Sequence, residues 1–150
     1  MKSSQLLGVF IAIVQIGGVI GFAAGMHTMI GVFSSVMSGD GEQIDLEMTD
    51  PVIIPMSLTP RNDGYLEATL YVTLSLVADG DNVIASDSAE VTLMPGEQAS
   101  IDLELLIPLS TAMQYLQNGS NVDWVTSVEV SSLYDLISFS NTVTMSGGGD

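Results

Sequence analysis

The sequence predicts a mainly-β protein in which an N-terminal transmembrane helix precedes an antiparallel β-sandwich with one short helix. Three observations support this fold class: an uncharged apolar segment opens the chain, apolar and polar residues alternate after it, and turn residues separate the alternating runs. The length of 150 residues suits one domain with an appendage. We therefore expect a transmembrane helix in residues 1–39 and an extracytoplasmic sandwich in residues 40–150.

The opening segment has no Asp, Glu, Lys or Arg from Ser3 to Gly39. As one helix it would extend about 55 Å, whereas the hydrocarbon core of a bilayer is about 30 Å thick. Three outcomes are open: the helix protrudes, it breaks near Met26–Gly31, or part of it lies outside lipid. Lys2 precedes the segment and the acids follow it, so the positive-inside rule predicts a cytoplasmic N-terminus. A signal peptide cleaved near Ala23–Gly25 is the alternative to a retained anchor.

Small residues recur on one side of this helix. At about 100° per residue they lie within about 120° of one another; they are Gly17, Gly21, Ala24, Gly25 and Thr28. Spacing of this small-x-x-x-small kind lets a second helix approach closely, so we expect helix packing through this face. The partner would be a second copy or another membrane helix. The other interpretation is that glycine is simply commoner in membrane helices than in soluble ones.

The rest of the chain has the period-two pattern of strands with one buried and one wet face. After a linker at 38–42, alternating runs predict six to eight strands in antiparallel sheets that enclose a shared core. The runs and their turns are 44–48, 65–76, 88–93, 100–107, 126–130 and 137–145, with turns at 60–64, 79–82 and 95–97. Pro108–Gln117 has apolar residues at helical spacing and predicts the short helix. Trp124 is expected to be a core residue rather than a ligand platform.

The block that begins at Pro51 contains an "IIP" strand start, an "NDGYL" turn, a long strand, a "DG" hairpin, and a "PGE" turn before an aliphatic strand. In these features it resembles the late-embryogenesis-abundant group-2 (water-stress) type of Ig-like domain found in archaeal membrane-anchored proteins. The resemblance extends over about residues 51 to 145. It implies a small extracytoplasmic Ig-like sandwich with no known enzymatic chemistry.

The composition excludes several kinds of chemistry. Eighteen acidic against two basic residues give a net charge of −16, which would repel nucleic acid. A Ser–His–acid triad would need His27, the single histidine, which lies in the apolar segment and is expected at the outer membrane boundary. We predict no enzyme, no cofactor and no metal; the calcium alternative would use the 79–82 turn with Asp87. Asn118 begins an Asn-x-Ser sequence and is a candidate glycosylation site.

These observations favour a single-pass, membrane-anchored cell-surface protein of structural or interaction type. Its helix would pack through the glycine face, and its acidic sandwich would be displayed outside the cell membrane. A pilin-like filament subunit, with the apolar helix in the fibre core, is one alternative. An accessory subunit of a membrane complex is the other.

Overall fold

The computed structural model describes residues 3–37, 49–118 and 121–146. Over these residues the chain is mainly β, with two antiparallel sheets, one long apolar helix and one short helix, as the sequence predicts. The elements in chain order are α1 (Ser3–Met37), β1 (Val52–Leu58), β2 (Ala68–Ala78), β3 (Asn82–Leu93), β4 (Ile101–Ile107), α2 (Leu109–Asn118), β5 (Val122–Ser132) and β6 (Ile137–Ser146).

The two sheets are unequal in size. One pairs β1 with β4, and the other has the order β3-β2-β5-β6, with antiparallel pairing throughout. The sheets meet where β4 lies beside β3, and there the Asp87 carboxylate accepts the backbone N–H of Glu104 at 2.9 Å. Because two strands face four, β1 and β4 cannot cover the whole inner face of the larger sheet.

The C-terminal part of α1 covers part of the inner face that the small sheet leaves open, and Phe139 and Met145 of β6 stay exposed. It packs against β5, β6 and β2. Its buried side chains Met29, Val32 and Val36 belong to the same cluster as the strand residues of both sheets. Burial of a side chain of this size contributes about 1.5–3 kcal/mol. The last third of the helix is therefore a structural layer of the sandwich.

This packing bears on the predicted organisation of the helix. The helix does not break at Met26–Gly31, since α1 is continuous from Ser3 to Met37. The boundary between a helix in residues 1–39 and a domain in residues 40–150 stays a prediction. The hydrophobic core nevertheless includes residues of the helix that precede this boundary.

Strands β2 and β4 bury the faces that the alternation predicts, whereas β6, predicted to share the pattern, is largely exposed on both faces. In β2 the buried residues alternate from Ala68 to Ala78, and in β4 they alternate from Ile101 to Ile107. Trp124 of β5 is half-buried and packs against the core cluster, which agrees with its interpretation as a core residue. The short helix α2 also forms where Pro108–Gln117 predicted it.

The predicted turns at 95–97 and 79–82 have the backbone geometry that Gly and Asp residues favour. Gly96 has φ 81°, and the Glu97 N–H donates to the Met94 carbonyl at 3.0 Å, as in a type II turn with Pro95 in its second position. Between β2 and β3, Asp79 and its following glycine both have positive φ. Such left-handed positions are readily adopted by Gly and tolerated by Asp.

One buried amide organises the loop between β1 and β2. The Asn62 side chain donates to the carbonyls of Leu66 at 2.8 Å and Leu93 at 2.9 Å, and it accepts the Gly64 N–H at 2.9 Å. The backbone N–H of Asn62 also donates to the Glu97 carbonyl at 2.8 Å. Asn62 is fully buried, so these bonds satisfy a group whose isolation from water would otherwise be costly.

Some predictions lie outside the described residues. These are the linker at 38–42, the strand at 44–48, residues 119–120 of the glycosylation sequence and the C-terminal residues 147–150.

Candidate functional site

The exposed part of α1 has large apolar side chains on every side, and Gln15 is the polar residue between Phe10 and Ala24. From Phe10 to Ala24 the helix is almost entirely uncovered by the sandwich. Its large exposed side chains are Phe10, Ile11, Ile13, Val14, Ile16, Val19, Ile20 and Phe22. At about 100° per residue they point in all directions, which is typical of a helix surrounded by lipid or by other helices. By length and composition, Phe10–Val36 is apolar and long enough to cross a membrane.

The helix changes its environment at Gly25. Residues 10–24 lie largely outside the sandwich, whereas Gly25, Thr28 and Met29 are buried against it. The part of α1 that precedes Gly25 begins at Ser3 and is about 33 Å long at 1.5 Å per residue. The following turns, up to Val36, pack one side against the domain, while Met26, His27 and Ile30 on their other side stay exposed.

Thr28 joins the helix to the loop that follows β1. Its hydroxyl donates to the Ala24 carbonyl at 2.9 Å and accepts the backbone N–H groups of Tyr65 at 3.2 Å and Leu66 at 3.3 Å. The side chain is fully buried. Thr28 was predicted to pack against a second helix, and here it binds the backbone of its own domain.

Ser35 makes a second link of the same kind. Its hydroxyl donates to the Val32 carbonyl at 2.7 Å and accepts the Arg61 N–H at 3.0 Å. Ser35 follows Thr28 by two helical turns, so both hydroxyls lie on the side of α1 that faces the loop. Sequence reasoning missed Ser35, although its spacing from Thr28 was a usable signal.

Gly64 permits the close approach that these bonds require. A Cβ atom added there would lie 2.5 Å from the Cα of Thr28 and would also clash with the Thr28 hydroxyl. The contact is with helix backbone, which cannot move aside cheaply. Sequence reasoning treated Gly64 only as part of a turn, and its role depends on a helix that is distant in the sequence.

The predicted glycine face is divided between two environments. A Cβ added at Gly25 would lie 2.8 Å from Cδ1 of Ile137 and 3.3 Å from Cδ1 of Leu133, so Gly25 is covered by the β5–β6 hairpin. Gly17 and Gly21 have no such neighbour within 4 Å. The small residues thus form one continuous face along the helix. Within the single chain, the sandwich covers only the C-terminal part of this face, with Gly25 and Thr28.

Aromatic contacts flank the docked turns. His27 is exposed, and its ring lies 5.5 Å from that of Tyr65, centroid to centroid. Further along α1, Phe33 meets Phe139 of β6 edge to face at 5.3 Å. Stacking of this geometry adds about 0.5–1.5 kcal/mol beyond area burial.

Two residues of the calcium alternative, Asn82 and Asp87, are bonded elsewhere. The Asp87 carboxylate accepts N–H groups from Ser88 and Glu104, and the Asn82 amide donates to the Tyr115 hydroxyl at 2.8 Å. Within residues 3–37, 49–118 and 121–146, no group of three or more His, Cys, Asp or Glu is arranged to hold a metal ion.

The outer face of the larger sheet has an open, acidic depression. Its lining includes Tyr71, Glu90 and Glu129. Hydrogen bonds with Ser88 and then Thr73 lower the pKa of Tyr71 below its ordinary value. This surface shows solvated carboxylates and hydroxyls rather than an arrangement of nucleophile, base and oxyanion donors.

No protein-family model and no curated protein matches this chain. Among solved structures, a protein from Archaeoglobus fulgidus is 10% identical with a TM-score of 0.49; the match covers 72% of this chain and 93% of that one. A protein from Arabidopsis thaliana is 13% identical with a TM-score of 0.42, covering 71% and 76%. A β-glucuronidase of Bacteroides uniformis is 11% identical with a TM-score of 0.46, covering 69% of this chain and 12% of the enzyme.

Replacing Thr28 by valine should destabilise the docking of α1 on the sandwich. Thr28→Val keeps the shape of the side chain but leaves the N–H groups of Tyr65 and Leu66 without their acceptor, at about 1–3 kcal/mol for each orphaned group. Thermal unfolding in mild detergent, followed by circular dichroism, measures the loss. The control is Thr144→Val on the exposed face of β6, and equal melting temperatures for the two variants would contradict the assignment.

The two environments of the glycine face predict opposite results for one substitution. Gly25→Leu should lower the free energy of unfolding by about 1–3 kcal/mol, because the new side chain overlaps the β5–β6 hairpin. Gly21→Leu should not lower it, because no such neighbour lies within 4 Å. Both changes add the same atoms to the same helix, so each is the control for the other in detergent melts. Equal losses would show that Gly25 is not a docking position.

Proposed function

We propose that this protein is a single-pass membrane anchor that displays an acidic β-sandwich on the outer face of a cell membrane. The observation that carries the proposal is the change in α1 at Gly25, where an exposed helix, apolar on all sides, enters the core of the domain. The part of α1 before Gly25 is about 33 Å long, close to the roughly 30 Å of a bilayer core. From this position onward one side of the helix is buried in the domain, through Thr28, Met29, Val32 and Val36.

The orientation follows from charge. Lys2 stands before the apolar segment, and all eighteen acids follow it. The positive-inside rule therefore favours a cytoplasmic N-terminus and an extracytoplasmic sandwich. In that orientation Asn118 is on the side where N-glycosylation occurs. The resemblance to archaeal water-stress Ig-like domains is compatible with this placement.

The anchor is joined to the displayed domain by packing as well as by the chain. Thr28 and Ser35 bond the loop backbone, and Val32 lies between them in the core. A continuous helix with these contacts transmits the tilt of the membrane segment directly to the sandwich. The domain is consequently held close to the bilayer and follows the tilt of the membrane segment, which suits a structural or interaction role.

Gly17 and Gly21 are the proposed contact with a second helix. They share a side of α1 with the docked residues, but a Cβ added at either would meet nothing within 4 Å among the described residues outside the helix. In lipid, small residues let two helix backbones approach closely. A second copy, or a helix of a membrane complex in which this chain is an accessory subunit, would fit this surface.

A filament subunit of the pilin type is the second candidate. The observation that favours it is that the exposed helix has no polar side, so a bundle of copies would cover it as well as lipid does. Electron microscopy of cell-surface material tests it directly. Long fibres that contain this chain would replace the anchor proposal, whereas a detergent-extracted monomer or small oligomer would exclude the filament.

Membrane insertion should depend on the middle of the exposed helix. Ile13→Lys places a charge near the centre of the proposed span, at about 2.5–3.5 kcal/mol on insertion scales, and should move the chain out of the carbonate-resistant membrane fraction. Val83→Lys, at an exposed apolar position of β3, should remain in it. Mass spectrometry identifies the N-terminus of each fraction. Soluble wild-type chains that begin near Gly25 would indicate a cleaved signal peptide instead of an anchor.

Helix association should depend on the free part of the glycine face. Gly21→Leu should weaken association, because the added side chain separates the two backbones, and crosslinking in proteoliposomes measures the loss. Ala23→Leu is the matched control, since Ala23 is exposed on the opposite side, about 160° away. Unchanged crosslinking of the Gly21 variant would exclude this face as the contact.

A further inference from the structure

The end of the sandwich from which α1 emerges is formed by three segments, which we call the exit end: Gly25–Thr28 of the helix, the loop at 61–67 and the β5–β6 hairpin tip at 133–136. Thr28 bonds the loop backbone, and Gly25 touches the hairpin. The pairing of Ala68 with Ser132 places the start of β2 and the end of β5 side by side. Loop and tip therefore flank the helix where it leaves the domain.

Large side chains are fully exposed at the exit end. Tyr134 is 95% exposed, Leu136 is 82% exposed and Tyr65 is 74% exposed. Tyr134 and Leu136 lie in the short tip between β5 and β6, while Tyr65 lies in the loop and stacks beside His27 of the helix. Single exposed apolar residues are ordinary, but here they gather around the root of an exposed apolar helix.

The hairpin tip holds these side chains in an unusual backbone conformation. Leu133, Tyr134 and Asp135 have φ values of 54°, 55° and 62°, in the left-handed region. That region is costly for a bulky residue such as Leu or Tyr and is easily adopted by Gly or Asn. If this tip served only to reverse the chain, Gly or Asn would suit it better. The large side chains therefore indicate a role beyond the turn itself.

The tip is fixed in position by its contacts. The side chain of Leu133 covers Gly25 of the helix, and the Leu136 N–H donates to the Leu133 carbonyl at 3.2 Å. The Asp135 carboxylate accepts the Ser131 hydroxyl at 2.6 Å, which engages the one acid of the tip with the neighbouring strand. Tyr134 and Leu136 remain the outward side chains.

We propose that the exit end contacts the lipid surface, with Tyr134, Leu136 and Tyr65 in the interfacial layer around the transmembrane helix. This inference rests on the proposed membrane anchor. The apolar surface of the helix reaches the exit end. Phe22 is exposed just before Gly25–Thr28, and Met26 is exposed within it. Tyrosine is favoured at the membrane–water interface, where its ring meets apolar lipid and its hydroxyl meets water.

A lipid contact at this end would fix the tilt of the sandwich. The helix alone leaves the domain free to rotate with any tilt of the span. A second contact through the hairpin tip, on the side of α1 that faces β5 and β6, selects one orientation. The distal end, with α2 and the β2–β3 turn joined through Asn82 and Tyr115, then faces away from the membrane.

Site-directed spin labelling tests the lipid contact, because the chain has no cysteine and each introduced one is unique. Tyr134→Cys and Leu136→Cys are labelled separately in the full chain and reconstituted in phosphatidylcholine vesicles. Val83→Cys, exposed near the β2–β3 turn, is the matched control. Labels at 134 and 136 should lose collisions with a water-soluble nickel complex and gain collisions with oxygen, whereas the label at 83 should not. Unchanged melting temperatures in detergent verify that the labelled chains are folded.

Each other outcome has a distinct meaning. If the chain is integrated in the vesicles but labels 134 and 136 meet the nickel complex as often as label 83, the lipid contact is overturned and the anchor stands. If carbonate extracts the chain, the proposed anchor itself fails. If labels 134 and 136 are shielded from both agents and broaden one another between chains, the tip contacts a second copy instead of lipid.

Discussion

The insertion of α1 into the open side of the sandwich is the interaction on which the rest of this structure depends. Two strands cannot cover four, and without a further layer the core residues of β5 and Ile137 of β6 would meet water. Met29, Val32 and Val36 supply that layer. Thr28 and Ser35 supply the polar contacts that set its position, since each accepts backbone N–H groups of the β1–β2 loop. A single helix thus belongs to two surroundings, the domain core and its outside.

This arrangement explains several features that otherwise look unrelated. Gly64 lies where the loop passes against the helix backbone, and Asn62 braces the same loop from within by bonding carbonyls on both sides of it. Gly25 admits the β5–β6 hairpin to the helix surface. No linker interrupts α1 before it enters the domain, so the orientation of the domain depends on that of the helix. The proposed anchor, the uncovered Gly17 and Gly21 and the proposed lipid contact all depend on α1 being one continuous helix.

Period and polarity made much of the fold predictable. In β2 and β4 the alternation identifies which residues are buried, because side chains of a strand point to opposite faces in turn. The turn at Pro95–Glu97 and the helix at Pro108–Gln117 were predictable for similarly local reasons, since Pro and Gly fix φ where they stand. The glycine face could be recognised as one side of a helix. What occupies each part of it could not, because Gly21 and Gly25 look alike in sequence.

By itself, the sequence determined the apolar helix, the acidic domain, the two-faced strands and the turns, since each depends on residues close together in the chain. Only the tertiary structure decided that the helix forms a layer of the sandwich, that Thr28 bonds its own domain, and that Tyr65 and Tyr134 lie around one helix. These facts depend on residues far apart in the chain, whose meeting is set by the packing of the two unequal sheets. The length of α1 illustrates both kinds of information. The sequence shows that the apolar segment is longer than a bilayer requires, and only the fold shows that its C-terminal turns pack in the sandwich.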